Sequence, residues 1–539
     1  MIVALSLLSA CDQPSEAPAA EAPAGEAVPM DAARLLTRAS LDVRGVRPTL
    51  AELDRVEADP DAVDAMITEF VDDPRFGDRV ADLFSEVYLT RTESYQVRLD
   101  GFGLDDVSPA DILGSVGDEP LQMLAEIARE DLPVTELVTG DWTMADDVLA
   151  RMYPVDYPAG ATGWQRVHYT DSRPAAGVLA TNGLWWRYQS TDSNANRGRA
   201  NVASRILLCH DYLTRPIEFD RNVNLLDEAA ISDALRSNPG CVNCHASLDP
   251  LAAYFFGFSY YEITGSEIAS YHPSRERNWT RVLGTPPSYY GEPGDDLGDL
   301  GRQIASDARF PQCMVEHVTE LLLRRDLALV DTDRLTEHRE ALIQGGMKLR
   351  PLFESVMRSP EYGSATAPNG TEVPLKLVTP ALLASEIRDL TGFDWTTVEG
   401  YDLLQSDAFG FLSLAGGADG VFTTSNARSP NSTLLLVQER LAEAASDYVV
   451  GTDAADRSAA KLFTEVDFTE TPETGREAMV AQIQRLHRRI FGHEVAADGP
   501  EVEANLGLWS DLYAVDDDIP RCWAGLLSAL LRDPDFLLY

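Results

Sequence analysis

The stretch FVDDPRFGD, residues 70–78, decides how this chain of 539 residues folds. It follows apolar residues at helical spacing between Val63 and Phe70. Its Asp-Pro pair predicts the end of that helix, because the residue before a proline disfavours the α conformation. The aromatic residue two positions after the proline then folds back on the last helical turn. The stretch therefore predicts an amphipathic helix that is closed by an aromatic plug.

The same pattern occurs twice more along the chain, in VMRSPEYGS (356–364) and LLRDPDFLL (530–538). Upstream of each copy lies an Arg-bearing segment followed by an acidic helix: LDVRGVRPTLAELDRV (41–56), LLLRRDLALVDTDRL (321–335) and LHRRIFGHEVAADGPEV (486–502). A helical hairpin is therefore predicted to occur three times. Such a repeat serves either as a repeated binding surface or as a duplicated packing unit.

Helical periodicity dominates the rest of the chain, and strand-like alternation is scarce. Residues 153–290 differ, since they are rich in Gly, Pro, Asn and aromatic residues, which favours loops over short helices. The predicted fold class is a mainly α, multi-domain helical protein with a loop-rich central region and repeated helical hairpins. The further helical stretches are Val80–Tyr88, Leu121–Ala128, Met314–Leu323, Leu434–Ala445 and Met479–Ile490.

The length of the chain exceeds what a single core accommodates, so several domains are expected. Five segments are predicted: a lipoprotein-type signal and disordered tether (1–31), an N-terminal helical domain (32–150), a central region that contains a Cys-x-x-Cys-His sequence (151–310), a helical hairpin module (311–365) and a C-terminal helical domain (366–539).

The charge is strongly acidic, with 44 basic against 87 acidic residues and a net charge of −43. Such a surface repels the phosphates of nucleic acids, so no nucleic-acid partner is expected. A solvated acidic coat and a docking surface for a basic partner are both compatible with this charge.

The N-terminus begins with an apolar run over residues 2–10, which is too short to span a bilayer. It leads into Leu8-Ser9-Ala10-Cys11, which resembles a bacterial lipobox, and then into a stretch rich in Pro, Ala and Glu. We expect export, with lipid on Cys11 anchoring the protein to the bacterial cell envelope through a disordered tether. An uncleaved, disordered tail is the alternative.

The stretch NPGCVNCHASLDP, residues 238–250, contains Cys241-x-x-Cys244-His245, the attachment pattern of c-type haem. Two thiols at this spacing reach the two vinyl groups of one porphyrin, and the adjacent histidine serves as the proximal iron ligand. A structural zinc site normally needs a second ligand pair, which is absent from the sequence. The alternatives that Cys241 and Cys244 form a structural disulfide or a redox-active pair stay open.

The motif predicts one covalent haem c and, as a function, electron transfer to a redox partner protein. A non-redox surface scaffold whose Cys-x-x-Cys forms a disulfide is the alternative, and a haem peroxidase is a weaker one. Met314 and His317 are candidates for the distal iron ligand. Pro250 is expected to end the helix early, and Asp249 to hydrogen-bond either the loop or the His245 ring.

Aromatic residues crowd the motif. They are suited either to an apolar jacket for a haem or to an ordinary core. They are Trp185, Trp186, Tyr254, Phe255, Phe256, Phe258, Tyr260 and Tyr261.

Several segments resemble, in the same order, parts of the secreted cytochrome-like proteins of planctomycetes and myxobacteria, which are built from several domains of unknown function. The resemblance covers roughly residues 32–365 and implies architecture and export rather than a proven activity. Cys209 and Cys313 lie in matching stretches, and in an exported protein they are suited to form a disulfide that leaves Cys522 unpaired. The segments are LTRASLDVRGVRPTLAEL (36–53), DDPRFGDR (72–79), TGDWTMADDVLARMY (139–153), RPAAGVLATNGLWWRYQSTDSNANRGRANVASRILLC (173–209), CVNCHASLDPLAAYFFGF (241–258) and DLGDLGRQIASDARFPQCMVEHVTELLLRRDL (296–327).

Overall fold

The computed structural model describes residues 27–93, 102–214, 223–224, 226–258, 271–366 and 373–539. The expected lipid site at Cys11 and nearly all of the tether lie outside these residues. The described part contains 22 α-helices and six strands of two or three residues, which confirms the mainly α prediction. Among the described helices, none combines the length and the apolar character needed to cross a lipid bilayer.

The helices follow one another with short connections in the first half of the chain. Up to residue 152 they are α1 (Ala32–Arg44), α2 (Leu50–Ala58), α3 (Ala62–Val71), α4 (Arg75–Tyr88), α5 (Pro109–Arg129), α6 (Glu136–Thr139) and α7 (Leu149–Met152). Up to residue 323 they are α8 (Asn182–Arg187), α9 (Arg197–Leu208), α10 (Glu228–Ser237), α11 (Pro239–Ala253), α12 (Trp279–Val282), α13 (Leu297–Ser306) and α14 (Arg309–Leu323).

The remaining helices and the strands complete the described chain. The helices are α15 (Thr332–Gln344), α16 (Leu349–Met357), α17 (Pro360–Gly363), α18 (Pro380–Thr391), α19 (Ser432–Ala455), α20 (Arg476–Phe491), α21 (Pro500–Asp516) and α22 (Ile519–Leu531). The strands form three antiparallel pairs: β1 (Val28–Pro29) with β6 (Ser364–Thr366), β2 (Thr143–Ala145) with β3 (Gln165–Val167), and β4 (Ser288–Tyr289) with β5 (Glu292–Pro293).

The repeated hairpins predicted from sequence are present, and each copy contains a further helix. The three units are α1–α3, α14–α16 and α20–α22, and in each unit the last helix packs against the first. Each last helix ends two residues before the Asp or Ser of its Asp/Ser-Pro pair. The following aromatic residues Phe76, Tyr362 and Phe536 are 1%, 0% and 1% exposed, as expected for packing plugs.

Two arginines of the first unit hold the plugs of the other two units. Arg38 on α1 donates a hydrogen bond to the Tyr362 carbonyl at 2.9 Å. Arg47, just after α1, donates one to the Phe536 carbonyl at 3.0 Å, and its guanidinium lies 5.0 Å from the Phe536 ring centroid. The first unit therefore contacts the plugs of both other units.

Two large apolar cores fill the described chain. One gathers buried residues from Leu36 to Tyr362, and the other gathers residues from Leu377 to Tyr539 together with Leu41 of α1. Helix α1 therefore contributes to both cores. The boundaries of the five segments stay a prediction.

A buried polar cluster around Asp42 ties the two ends of the chain together. Its carboxylate accepts hydrogen bonds from Tyr539 at 2.9 Å, from Tyr362 at 2.7 Å and from the Lys376 ammonium. Burial lowers the pKa of Lys376 to about 7, although the charge of Asp42 acts against this effect. The cluster is closed to solvent, since Asp42 is 0% exposed, and it is a structural tie rather than a site.

Candidate functional site

Helix α11 carries the Cys-x-x-Cys-His motif. The helix begins where Asn238 accepts a hydrogen bond from the Gly240 backbone at 3.0 Å through its side chain, with Pro239 at the first helical position. Cys241, Cys244 and His245 follow at spacings of three and four residues, which places them on one face of the helix. This N-terminal half of α11 is only partly buried, whereas the half from Leu248 onward packs into the core.

The expected early end of this helix at Pro250 is wrong. Helix α11 passes through Pro250 and ends at Ala253, where it continues into a 3-10 turn over Tyr254–Gly257. A proline costs one helical hydrogen bond, but Leu251, Ala252 and Ala253 are 4%, 0% and 2% exposed. Burial of this apolar turn offsets the loss, so Asp249 lies within the helix and not in a turn.

The His245 ring is held by Asp249, one turn later on the same helix. Nδ1 of His245 lies 2.8 Å from Asp249 Oδ1, which is the ring contact anticipated from the sequence. The donor is the Nδ1–H, because a carboxylate only accepts. A hydrogen bond of this kind favours the tautomer with its proton on Nδ1, and in that tautomer Nε2 is the nitrogen that can bind a metal ion.

Arg197 completes this arrangement from helix α9. Its guanidinium binds both carboxylate oxygens of Asp249, with distances of 2.6 Å and 2.9 Å. Burial acts to raise the pKa of Asp249, but the hydrogen bonds from Arg197 and His245 outweigh it and hold the pKa below its usual value. Asp249 is therefore ionised at neutral pH, and both of its partners are oriented by it.

Arg197 is the residue that sequence reasoning missed. It lies 52 residues before Asp249, and no local spacing connects the two. Its segment was noted only for the resemblance, where Arg197-Gly198 belongs to the matching stretch. The fold brings them together because α9 packs along α11.

Cys241 and Cys244 are free thiols in the structure, and both are partly buried. Cys244 also packs at the edge of the first core. The third free cysteine of the described residues, Cys522, is buried on α22 and belongs to the second core. The motif therefore presents two unpaired thiols beside an oriented imidazole.

Cys209 and Cys313 form a disulfide, as the resemblance suggested, and it joins the end of α9 to α14. Since α9 also carries Arg197, the bridge fixes a helix that orients the motif. His317 lies against the bridge, with Nε2 3.3 Å from Cys313 Sγ and 2.9 Å from the Ile206 carbonyl oxygen. Burial lowers the pKa of His317 to about 4.

The two candidates for a distal ligand lie on α14, one turn apart. Met314 is 4% exposed and its side chain belongs to the first core. His317 has its Nε2 engaged by the Ile206 carbonyl. Both assignments stay predictions.

The aromatic residues near the motif pack mainly with one another. The Trp185 and Phe255 ring centroids lie 4.7 Å apart, and those of Phe258 and Tyr271 lie 5.1 Å apart. All four are buried in the first core, behind the C-terminal half of α11. Tyr260 and Tyr261 lie outside the described residues.

No family model, no curated protein and no solved structure matches the chain.

Proposed function

We propose that this protein is an exported c-type cytochrome-like protein that binds one covalent haem and transfers electrons. Cys241 and Cys244 are the attachment points, and His245 is the proximal ligand. The observation that carries this proposal is the His245–Asp249 hydrogen bond beside two free thiols, because it prepares the imidazole for iron at the place where the thiols hold the porphyrin.

The residues present fit this group. Attachment needs two reduced thiols with two residues between them, and both cysteines are unpaired and partly accessible. A proximal histidine needs its second nitrogen engaged, and Nδ1 of His245 donates to Asp249. Cys241 and Cys244 are unpaired in the structure, whereas Cys209 and Cys313 are joined to each other.

A bound haem supplies a one-electron couple between ferric and ferrous iron. The residues of this chain tune it through His245. The negative charge of Asp249 makes the imidazole a stronger donor, and Arg197 moderates that charge through its two hydrogen bonds. Asp249 and Arg197 are therefore positioning residues that act on the ligand.

Location and partner follow from the same proposal. The motif face of α11 is partly exposed, with 23% of the His245 side chain accessible, which suits exchange of electrons with a docked protein. The acidic surface favours a basic redox partner. Lipid on Cys11 holds the protein at the bacterial cell envelope, in a compartment where c-type haem is attached.

Expression in bacteria with a periplasmic haem-attachment system tests the proposal. The full chain should run on a denaturing gel as a band that stains for haem, because thioether bonds survive denaturation. The double variant Cys241→Ala/Cys244→Ala should give a colourless band, and the matched control Cys522→Ser should stain like the parent protein. A colourless parent band, with Cys241 and Cys244 alkylated only after reduction, would overturn the proposal in favour of a structural disulfide.

A further inference from the structure

Four atoms of the kinds that coordinate metal ions lie close together where helix α9 meets helix α14. His317 Nε2 lies 3.6 Å from Cys209 Sγ, 3.3 Å from Cys313 Sγ and 2.9 Å from the Ile206 carbonyl oxygen. The same carbonyl oxygen lies 3.6 Å from Cys313 Sγ. The two sulfurs and the ring nitrogen lie within 4.8 Å of one another.

The backbone directs these side chains toward one point. Cys313 and His317 are four residues apart on α14, which is the spacing that places two ligands on one helical face. Cys209 is the residue after the last turn of α9, and its left-handed backbone, with φ of 49°, turns it out of the helix. Ile206 belongs to that last turn. No backbone N–H of the helix follows four residues later, so its carbonyl oxygen is left to accept other hydrogen bonds.

His317 lies beside the disulfide and donates a hydrogen bond through Nε2 to the Ile206 carbonyl oxygen. The ring packs edge-on against Phe84 at 6.3 Å, and the same nitrogen lies 3.6 Å from Cys209 Sγ and 3.3 Å from Cys313 Sγ. Two sulfurs, one imidazole nitrogen and one oxygen are a donor set that suits zinc.

We propose that Cys209, Cys313 and His317 form a zinc site when their disulfide is reduced. A dithiol reductant gives two electrons and two protons to the Cys209–Cys313 bond and itself becomes a disulfide, leaving two thiols. Zn²⁺ then displaces one proton from each thiol and binds both thiolates. In the disulfide form Nε2 carries the proton that it donates to the Ile206 carbonyl oxygen. When zinc binds, the ring loses this proton to solvent and takes one up at Nδ1, so that Nε2 binds the metal as the neutral ring and the Ile206 carbonyl or a water completes the tetrahedron.

The site needs one movement, and the structure permits it. In a tetrahedral site with Zn–S bonds of about 2.3 Å the two sulfurs lie about 3.8 Å apart, so they must separate once the disulfide is reduced. Cys313 is 1% exposed and held in the core, whereas Cys209 is exposed and can rotate outward. The oxidised form excludes the metal, so the occupancy of the site reports the redox state around the protein.

This site is separate from the haem motif, and its failure would leave the proposed haem function untouched. It gives His317 a role other than that of a distal iron ligand.

Cobalt is the probe for this test, because tetrahedral Co²⁺ bound by thiolates absorbs visibly while Zn²⁺ is silent. The experiment uses the full chain with Cys241→Ser/Cys244→Ser, which removes the motif thiols, reduced anaerobically with a phosphine that is then removed. One equivalent of Co²⁺ should produce tetrahedral bands with thiolate-to-cobalt charge transfer, and Zn²⁺ should abolish them. The oxidised protein should show no bands.

Two single variants decide which residues bind. His317→Gln should weaken Co²⁺ binding by at least about tenfold, since one of three protein ligands is lost. Cys209→Ser, at the exposed position, should halve the thiolate charge-transfer intensity, and Cys522→Ser should change nothing. Absence of bands in the reduced parent, bands that are insensitive to both variants, or loss of helical circular dichroism on reduction would each overturn the proposal.

Discussion

The carboxylate of Asp249 lies 2.8 Å from Nδ1 of His245, one turn earlier on the same helix. This contact exists because helix α11 continues past Asp249 instead of ending at the proline that follows it. Arg197 then holds the carboxylate from a second helix. A local four-residue spacing and a long-range ion pair together orient the imidazole beside two free thiols.

The charge on Asp249 is expected to set the reduction potential of the haem-loaded protein. Asp249→Asn removes a charged acceptor from Nδ1, weakens the donor strength of His245 and should raise the potential. Arg197→Gln frees the carboxylate from its cationic partner and should lower the potential. Spectroelectrochemical titration measures both shifts.

Potential shifts of opposite sign in the two variants distinguish an electrostatic effect on the haem from a general loss of structure. A purely structural role of the pair would move both variants in the same direction, together with their thermal stability. Nitrogen NMR of the His245 ring in the haem-free protein adds a second readout: the parent should show a protonated Nδ1 and a bare Nε2, and Asp249→Asn should lose this tautomer preference.

The Lys376–Asp42 pair is expected to be a major tie between the two cores. Lys376→Met leaves the Asp42 carboxylate buried with only tyrosine donors, and removing one partner of a buried pair costs about 3–5 kcal/mol. Urea unfolding measures this loss. Lys348→Met is the matched control, because the Lys348–Asp131 pair is about a third exposed and should cost at most about 1 kcal/mol. Equal losses in the two variants would show that the buried cluster is not a special tie.

The aromatic plugs are expected to account for much of the stability of each repeated unit. Phe536→Ala removes a ring that is 1% exposed and should destabilise the protein by about 3–5 kcal/mol. Phe409→Ala is the comparison, since that ring is 60% exposed and should stay within about 0.5 kcal/mol of the parent. Chemical denaturation measures both changes, and a small loss for Phe536→Ala would mean that the repeat is not held by its plugs.

The repeated units could be predicted from sequence because their pattern is local. Apolar spacing, the Asp/Ser-Pro pair and the aromatic after it all lie within about ten residues, and the structure places the three aromatics in its cores. The motif of Cys241 and Cys244 was equally local. The contact between Tyr539 and Asp42 spans 497 residues, and Arg197 reaches Asp249 across 52, so no periodicity could indicate them.

Pro250 is a case in which a local sequence signal gave a wrong prediction. A proline is a local signal for a helix end, but three apolar residues after it gain more from burial than the missing hydrogen bond costs. Tertiary packing therefore overrode the local preference. The error matters for function, because a helix that ended early would have left Asp249 out of line with the His245 ring.

The buried His338 is expected to make the protein less stable in acid. Its ring is 3% exposed, and Nδ1 lies 2.8 Å from the Ser355 hydroxyl. Burial lowers its pKa, an effect that Arg334 strengthens and that Glu361 and Glu337 oppose without cancelling it. The unfolded chain therefore takes up a proton near pH 6.5, before the folded protein does. Stability should fall as the pH drops from about 6.5 toward the lowered pKa.

His338→Gln tests this pH dependence. Glutamine keeps a hydrogen-bonding group for Ser355 but has no proton to take up, so the urea midpoint of the variant should fall less than that of the parent between pH 7 and pH 5. The matched control is His168→Gln, whose ring is about half exposed and which should follow the parent. The slope should shrink rather than vanish, because burial also lowers the pKa of His317 to about 4 and lowers that of His487. Parallel curves for the parent and His338→Gln would contradict the prediction and place the acid sensitivity in other groups.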